Sequence, residues 1–353
     1  MILLISASLF AFAMSIILTP KIRKIAYYFD ITAKPNHRTI HHTSIPLMGG
    51  IAVFLAYVVG IIIIYAFSGG KYTELLNENL AFISGGLLIL FLGIYDDIKG
   101  ATCYQKFIVQ ILAAVVVIYA GYQITSIVNP FGGLIELGQL SIPLTILWLV
   151  AISNAFNLID GLDGLATGVG LGASITMMII SLWNGNLISA LPAAILASAL
   201  AGFLIFNFNP AKIFLGDSGS LVIGFWLACF SINGTFRTSS AIAILIPIVI
   251  FSLPLLDTLL AIVRRLRKRI HPFKADRQHI HHRLLYMGLS QRQAALLLNG
   301  ISYFWGTIAF FIVVLDRKYS LFLAALVMLT IFLGLRGLGF FSHFILRGLN
   351  SKT

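Results

Sequence analysis

Eleven runs of mainly apolar residues recur along this chain, near 2–19, 47–67, 78–95, 105–121, 140–159, 164–183, 187–206, 219–235, 240–263, 295–315 and 320–337. Each is about the 17 to 25 residues that carry a helix across a bilayer, where every backbone N–H and C=O must be satisfied within its own segment. Of 353 residues, 59% are apolar and only 10% charged, and the mean hydropathy of +0.97 lies far outside the range of soluble domains. The chain therefore reads as an all-α, polytopic membrane protein with about eleven transmembrane helices, a single membrane domain over 1–353. No polar connection is long enough to fold alone. The first run lacks a basic stretch before it and a small-residue cleavage site after it, so 2–19 is expected to stay as a helix. Cys103 and Cys229 fall in or beside apolar runs and are expected to be packing residues.

The net charge of +12 is unevenly placed. With eleven spans, one set of alternate loops collects Lys21, Arg23, Lys24, Lys34, Arg38, Lys99, Lys106, Lys212, the nine Lys and Arg residues from Arg264 to Arg292, and Arg336, Arg347 and Lys352. The other set keeps Lys71, Arg237, Arg317 and Lys318. The positive-inside rule makes the first set cytoplasmic, with the N-terminus outside and the C-terminus cytoplasmic. The same basic residues also suit anionic lipid. They are scattered among short loops, which argues against a nucleic-acid partner. The long connection 264–294 is expected to begin as a helix extension and continue as a Pro-turned loop, whereas 122–139, which contains SIVNPFGGLIELGQ, has the Gly and Pro spacing of a small outer hairpin.

Five carboxylates lie at the ends of apolar runs, all on the basic face: Asp96 and Asp97 in YDDIKG, Asp160 and Asp163 in NAFNLIDGLDG, and Asp217 in FLGDSGS. An acid at such a place is by default a functional-site hypothesis. Adjacent carboxylates such as Asp96 and Asp97 repel, and need a cation, a lysine or a proton between them; Lys99 and Lys106 are the near positive charges. Asn154, Asn157, Asp160 and Asp163 recur every three residues, which puts neighbours on one helical face. Such a polar stripe either lines a cavity or, for the asparagines, bridges helices by hydrogen bonds. Gly161 and Gly164 allow the backbone to turn and approach a ligand.

In FNFNPAKIFLGDSGS, Asn207 precedes Asp217 by ten positions, and Ser218 is placed to cap a helix starting near Leu221. Asp217 itself serves either as such a cap or as a metal carboxylate beside a phosphate at a helix N-terminus. Phe214 is either a core aromatic or a stacking partner for a base. His279, His281 and His282 lie beside Arg277 and Arg283. Apart from Asp276 they lack the companion ligands of a zinc site, and they better suit donors to a phosphate or sugar, a group that includes Arg265. Carboxylates and asparagines without a thiolate cluster form a hard-oxygen set, which favours magnesium, or manganese in its place.

These segments, in order and spacing, resemble the polyprenyl-phosphate N-acetylhexosamine-1-phosphate transferases. The likeness runs from KPNHR and HHTSIPLMGG at 34–50, through YDDIKG with Lys106, NAFNLIDGLDGLATG and FNFNPAKIFLGDSGS, to HPFKADRQHIHHRL. One departure is His42, where many relatives carry a lysine. The resemblance implies magnesium near Asp217 and Asn157, and a phosphate contact from Lys106. It implies a uridine pocket of Asp160, Gly161, Asp163, Asn207 and Phe214, and Asn154 is a further candidate for substrate binding. Sugar or diphosphate contacts come from Arg265, His279, His281 and His282. Asp96, Asp97, Asp160 and Asp163 form the catalytic group, with Asp96 or Asp97 deprotonating or positioning the lipid phosphate in one step or through an aspartyl-phosphate.

The absence of a PIHHHFE-type sequence turns the expectation from phospho-MurNAc-pentapeptide to GlcNAc-1-phosphate. The implied partners are UDP-GlcNAc, or a GalNAc, QuiNAc or FucNAc donor, together with undecaprenyl phosphate and membrane lipid. The implied setting is the bacterial cytoplasmic membrane and the start of a cell-envelope glycan such as O-antigen. A homodimer is left open. An ion-coupled transporter would instead gather its acids near the bilayer midplane, at broken helices; here they stand at span ends.

Overall fold

The computed structural model describes residues 2–33, 44–68, 73–128, 134–232, 245–269, 279–315 and 317–337. The helices are α1 (Ile2–Tyr28), α2 (Gly49–Phe67), α3 (Thr73–Lys99), α4 (Cys103–Tyr119), α5 (Ser141–Ile159), α6 (Leu165–Trp183), α7 (Leu187–Asn207), α8 (Asp217–Ile232), α9 (Leu245–Ile250), α10 (Ser252–Arg267), α11 (Ile280–Tyr286), α12 (Gln291–Val314) and α13 (Arg317–Gly337). Two short antiparallel pairs join them: β1 (Thr32–Ala33) with β2 (Ile45–Pro46), and β3 (Ser126–Val128) with β4 (Leu134–Glu136). The second pair is the hairpin expected within 122–139.

Among the described residues, seven helices are long and apolar enough to cross a membrane: α1, α2, α3, α5, α6, α7 and α12. The chain is thus a mostly helical, multi-pass membrane protein. Four of the eleven expected runs take other forms. Three, in α4, α8 and 325–337, are shorter apolar helices. The fourth, 240–263, breaks at Phe251 into α9 and α10. Pro254 explains the break, because it has no N–H for the Ile250 carbonyl four residues back and its ring crowds that oxygen. Nearby, Ser252 Oγ donates to the Ile248 carbonyl at 3.0 Å.

A helix apolar on all sides has to be buried, and α8 is: every residue from Ser218 to Ile232 is buried. It packs against α2, α3, α5, α6 and α7. Midway along it, Trp226 lies against Tyr57 (ring centroids 4.2 Å apart) and Phe54 (5.0 Å), and its indole N–H donates to the Phe82 carbonyl at 2.9 Å. The helix starts nearest the site are set by local chemistry. Thr102 with Gln105 and Ser290 with Gln293 form reciprocal capping boxes at α4 and α12, satisfying N–H groups that a helix start leaves open.

Candidate active site

α3, α5 and α7 end, and α2, α4, α6, α8 and α12 begin, at one end of the bundle, and the five aspartates gather there. The first turn of α8 is the centre of the arrangement. It is capped from α3 and not by Ser218: Asp97 Oδ1 accepts the Asp217 N–H at 2.8 Å and Oδ2 the Ser218 N–H at 3.3 Å. Since α8 begins at Asp217, the expected start near Leu221 with a Ser218 cap is corrected; the Ser218 hydroxyl is buried without a hydrogen-bond partner.

Close backbone approach makes this cap reachable. A Cβ on Gly93, one turn before Asp97, would lie 2.3 Å from Ser218 Cα, and one on Gly50 would lie 2.2 Å from Gly219 Cα. Gly216 has φ +74°, and a Cβ there would fall 2.5 Å from Asp97 Oδ2, so both its conformation and its surroundings require glycine. Main-chain bonds hold the connection before α8 to the start of α2. Phe214 N–H donates to the Pro46 carbonyl (2.8 Å), Gly49 N–H to the Phe214 carbonyl (3.0 Å) and Gly50 N–H to the Leu215 carbonyl (2.9 Å).

Lys106 joins the remaining acids. Its ammonium donates to Asp217 Oδ2 at 2.6 Å and forms a second ion pair with Asp96, whose other oxygen accepts the Ala101 N–H. On α5, Asn157 Nδ2 donates to Ser220 Oγ at 3.0 Å, one turn into α8. Asn154 instead bridges to α4, donating to Gln110 Oε1 at 2.8 Å.

The expected stripe from Asn154 to Asp163 does not continue along one face, because α5 ends at Ile159 and the chain turns through Gly164 at φ +73°. Asp160 stays near the other acids. Burial, then the charges of Asp217, Asp97 and Asp163, push its carboxyl well above the usual carboxylate range. Asp163 turns to the loop before α8, where Oδ2 accepts Asn209 Nδ2 and the Ala211 N–H, and Oδ1 accepts Gln291 Nε2, all at 3.0 Å. It therefore ties the α5–α6 turn to the α7–α8 connection and to the start of α12. Asn207 is a similar tie, accepting from Thr167 Oγ1 at 2.7 Å and donating to the Ile213 carbonyl at 3.0 Å.

These groups surround a cavity of about 440 Å³. Asp96, Asp97, Asp160, Asp163 and Asp217 line it, with Gly161, Asn207, Phe214, His282, Leu47, Leu162, Gly216 and Gln291. Lys106, Asn154, Asn157, Arg265, His279 and His281 stand outside that wall. The preceding HPFKADRQ, together with KPNHR and His42, falls outside the described residues.

The three histidines form a block. His279 and His281 stack with centroids 5.7 Å apart and planes 4° from parallel, and His281 lies 4.3 Å from His282. His281 is buried against Gly161, where a Cβ would meet its Nε2 at 2.3 Å. Burial, helped by the neighbouring His282 and His279 against the opposing charge of Asp257, pulls His281 down to about 3, so it is neutral at ordinary pH. Arg265, buried at the end of α10, is one of the basic residues of that helix's last turn.

Asp257, Asn209, Gln291, Gln110 and Ser220 were not singled out from sequence. Asp257 carried a usable signal, a lone acid within an apolar run; the amides carried none.

The donor set fits magnesium. Among the described residues no three His, Cys, Asp or Glu side chains form a group that could hold a metal alone. Magnesium commonly takes only one or two carboxylates and completes its shell with water and substrate phosphate. Here one lysine faces several convergent carboxyls, and the Asp160 carboxyl, raised first by burial and then by the charges of Asp217, Asp97 and Asp163, stands among negative charge that a cation would offset.

Residues 79–235 match the model of glycosyl transferase family 4. The chain is 37% identical over 305 residues, 86% of its own length and 83% of the relative's, to the Bacillus subtilis protein named "Probable undecaprenyl-phosphate N-acetylglucosaminyl 1-phosphate transferase". It is 36% identical to a decaprenyl-phosphate N-acetylglucosaminephosphotransferase of Mycolicibacterium smegmatis, covering 82% of this chain and 76% of that one. It is also 31% identical to an undecaprenyl-phosphate alpha-N-acetylglucosaminyl 1-phosphate transferase of Salmonella typhi, covering 88% and 83%.

Proposed function

This chain belongs to glycosyl transferase family 4, and from that premise we propose that it transfers GlcNAc-1-phosphate from UDP-GlcNAc to undecaprenyl phosphate, starting a lipid-linked cell-envelope glycan. A phosphate oxygen of the lipid forms a bond to the sugar-bearing β-phosphorus. The bond from that phosphorus to the oxygen bridging it to the α-phosphate breaks, and UMP leaves with the electron pair. The observation that carries this reading is the convergence of Asp96, Asp97, Asp160, Asp163 and Asp217 on one cavity at the helix ends. The isoprenoid tail accounts for an enzyme embedded in the membrane.

Three phosphates of like charge meet in such a reaction, so positioning and positive charge supply most of the transition-state stabilisation. Lys106 orients Asp96 and Asp217 together through its two ion pairs. Asp97, with each oxygen engaged by a backbone N–H of α8, fixes the turn that carries Asp217. Asp96 and Asp97 both line the cavity, and either is placed to meet the lipid phosphate. Asp217 and the side-chain oxygen of Asn157 would hold magnesium, which supplies charge neutralisation at the diphosphate when bound. Phe214, Gly161 and Asp160 face the nucleoside, and His282 faces the sugar diphosphate.

The excess of Lys and Arg in loops at this end supports a cytoplasmic site and an N-terminus outside, in the bacterial cytoplasmic membrane. A panel of radiolabelled UDP-sugars, with undecaprenyl phosphate and magnesium, tests the reading. UDP-GlcNAc should give labelled lipid and UMP one for one, lost with EDTA and restored by magnesium or manganese. UMP release without lipid product, or turnover confined to another UDP-sugar, would sink it.

A further inference from the structure

Asp257 sits within the apolar sequence of α10, is buried, and forms no part of the cavity wall. Both of its oxygens meet one short stretch of chain. Oδ1 accepts the N–H of Ile280, the first residue of α11, at 2.8 Å, and Oδ2 lies 2.8 Å from Nδ1 of the buried His279. A carboxylate only accepts, so a ring proton of His279 is drawn to Nδ1.

The same carboxylate therefore settles two things together, where α11 begins and which nitrogen of His279 carries hydrogen. His279 stacks on His281, His281 rests on Gly161, and His282 stands 4.3 Å from His281 on the cavity wall. Each contact passes the placement of His279 on to groups that line the cavity.

We propose that Asp257 is a positioning residue of the donor site, holding His279 in its Nδ1–H tautomer and fixing the start of α11 so that His282 and Gly161 present a fixed wall to the nucleotide sugar. This rests on the reading of the cavity as the site for a nucleoside-diphosphate sugar. Asp257 itself touches no substrate.

Asp257→Asn tests the two roles separately in the full-length protein in nanodiscs. Asparagine keeps an acceptor oxygen for Ile280 N–H, but its NH₂ faces His279 Nδ1 and drives the proton to Nε2, much as replacing a triad aspartate by asparagine selects the wrong tautomer. The KM for UDP-GlcNAc should rise about 10- to 100-fold, the size of effect seen when the partner that orients a metal-ligating histidine is lost. The KM for undecaprenyl phosphate and the thermal midpoint should stay near the parent's. Asp257→Ala, which also removes the acceptor for Ile280, should lower the thermal midpoint as well.

In ¹⁵N-histidine-labelled protein, the signals missing in His279→Gln identify His279. They should report Nδ1–H in the parent and Nε2–H in Asp257→Asn. An unchanged tautomer with an unchanged donor KM would overturn the proposal. Should Asp257→Asn fail to insert, His279→Asn reads the same bond from its other side. The asparagine amide still donates to Asp257, so donor KM should stay closer to the parent's than in His279→Leu, and equal losses in the two would refute the role. A parent that turns over no UDP-sugar would defeat the transferase reading, while the ¹⁵N signals would still decide Asp257.

Discussion

At its first turn α8 meets its neighbours through backbone: Gly93 and Gly50 bring α3 and α2 so close that no Cβ fits between, and Asp97 bonds directly to the N–H groups of Asp217 and Ser218. Nine residues beyond Asp217, the same helix is surrounded by large side chains, with Trp226 between Tyr57 and Phe54 and bonded to the Phe82 carbonyl. Side chains can change rotamer when a neighbour changes; a backbone held against backbone cannot. The first kind of contact therefore fixes where carboxylates stand, and the second mainly contributes stability.

The strongest way to break this comparison is Gly93→Ala. Its methyl must push α3 from α8 and so pull Asp97 and Asp217 apart, and a displacement on the order of 1 Å at reacting groups can cost about 100-fold in rate. Turnover, normalised to folded protein, should fall by about that factor. Activity within threefold of the parent would show that the close contact does not position the acids.

Trp226→Phe probes the middle of the helix and should do the reverse. Losing the indole bond and part of the ring costs about 1–3 kcal/mol of stability, read as a lower thermal midpoint in detergent, while turnover per folded molecule stays within twofold. A loss comparable to that of Gly93→Ala would erase the distinction between the two regions.

The smallest effect belongs to Asp160. Its carboxyl is raised in the folded protein, so the folded state holds a proton that the unfolded state has already released above the ordinary carboxylate range. Stability then falls as pH rises toward the folded value. Asp160→Asn removes this liability, so its advantage in thermal midpoint over the parent, measured without divalent cation, should widen from pH 5 to pH 8. A constant difference across that range would mean that the site end carries no such electrostatic strain.

Hydropathy made the helices legible, since a run of apolar residues has one stable form in lipid. The acids at the run ends pointed to one end of the bundle, and the cavity gathers all five. What sequence could not reach were pairings across long separations. Asp97 and the N–H groups of α8 are some 120 positions apart, and nothing near Asp97 in sequence marks it as the cap of another helix. Ser218 looked like the local cap because short-range rules see only neighbours. The polar stripe at 154–163 failed for a related reason: three-residue spacing describes a helix, and the helix had already ended at Ile159. Hydropathy alone counts 240–263 as one run and so misses the break at Phe251, although Pro254 is a local signal against a continuous helix.

The strand-like bonds that join Pro46, Gly49 and Gly50 to Phe214 and Leu215 involve peptide groups alone. Gly49 and Gly50 must stay glycine for this approach, but the peptide bonds of the seam ask nothing of the side chains of Leu47 and Phe214, so the seam works as a chassis. Leu47 and Phe214 ride on it as exchangeable panels of the cavity wall. Diversity introduced at those two positions reshapes the pocket while the mounting of α8 stays the same, which gives evolution, or a designer seeking a different sugar nucleotide, a place to vary selectivity apart from catalysis.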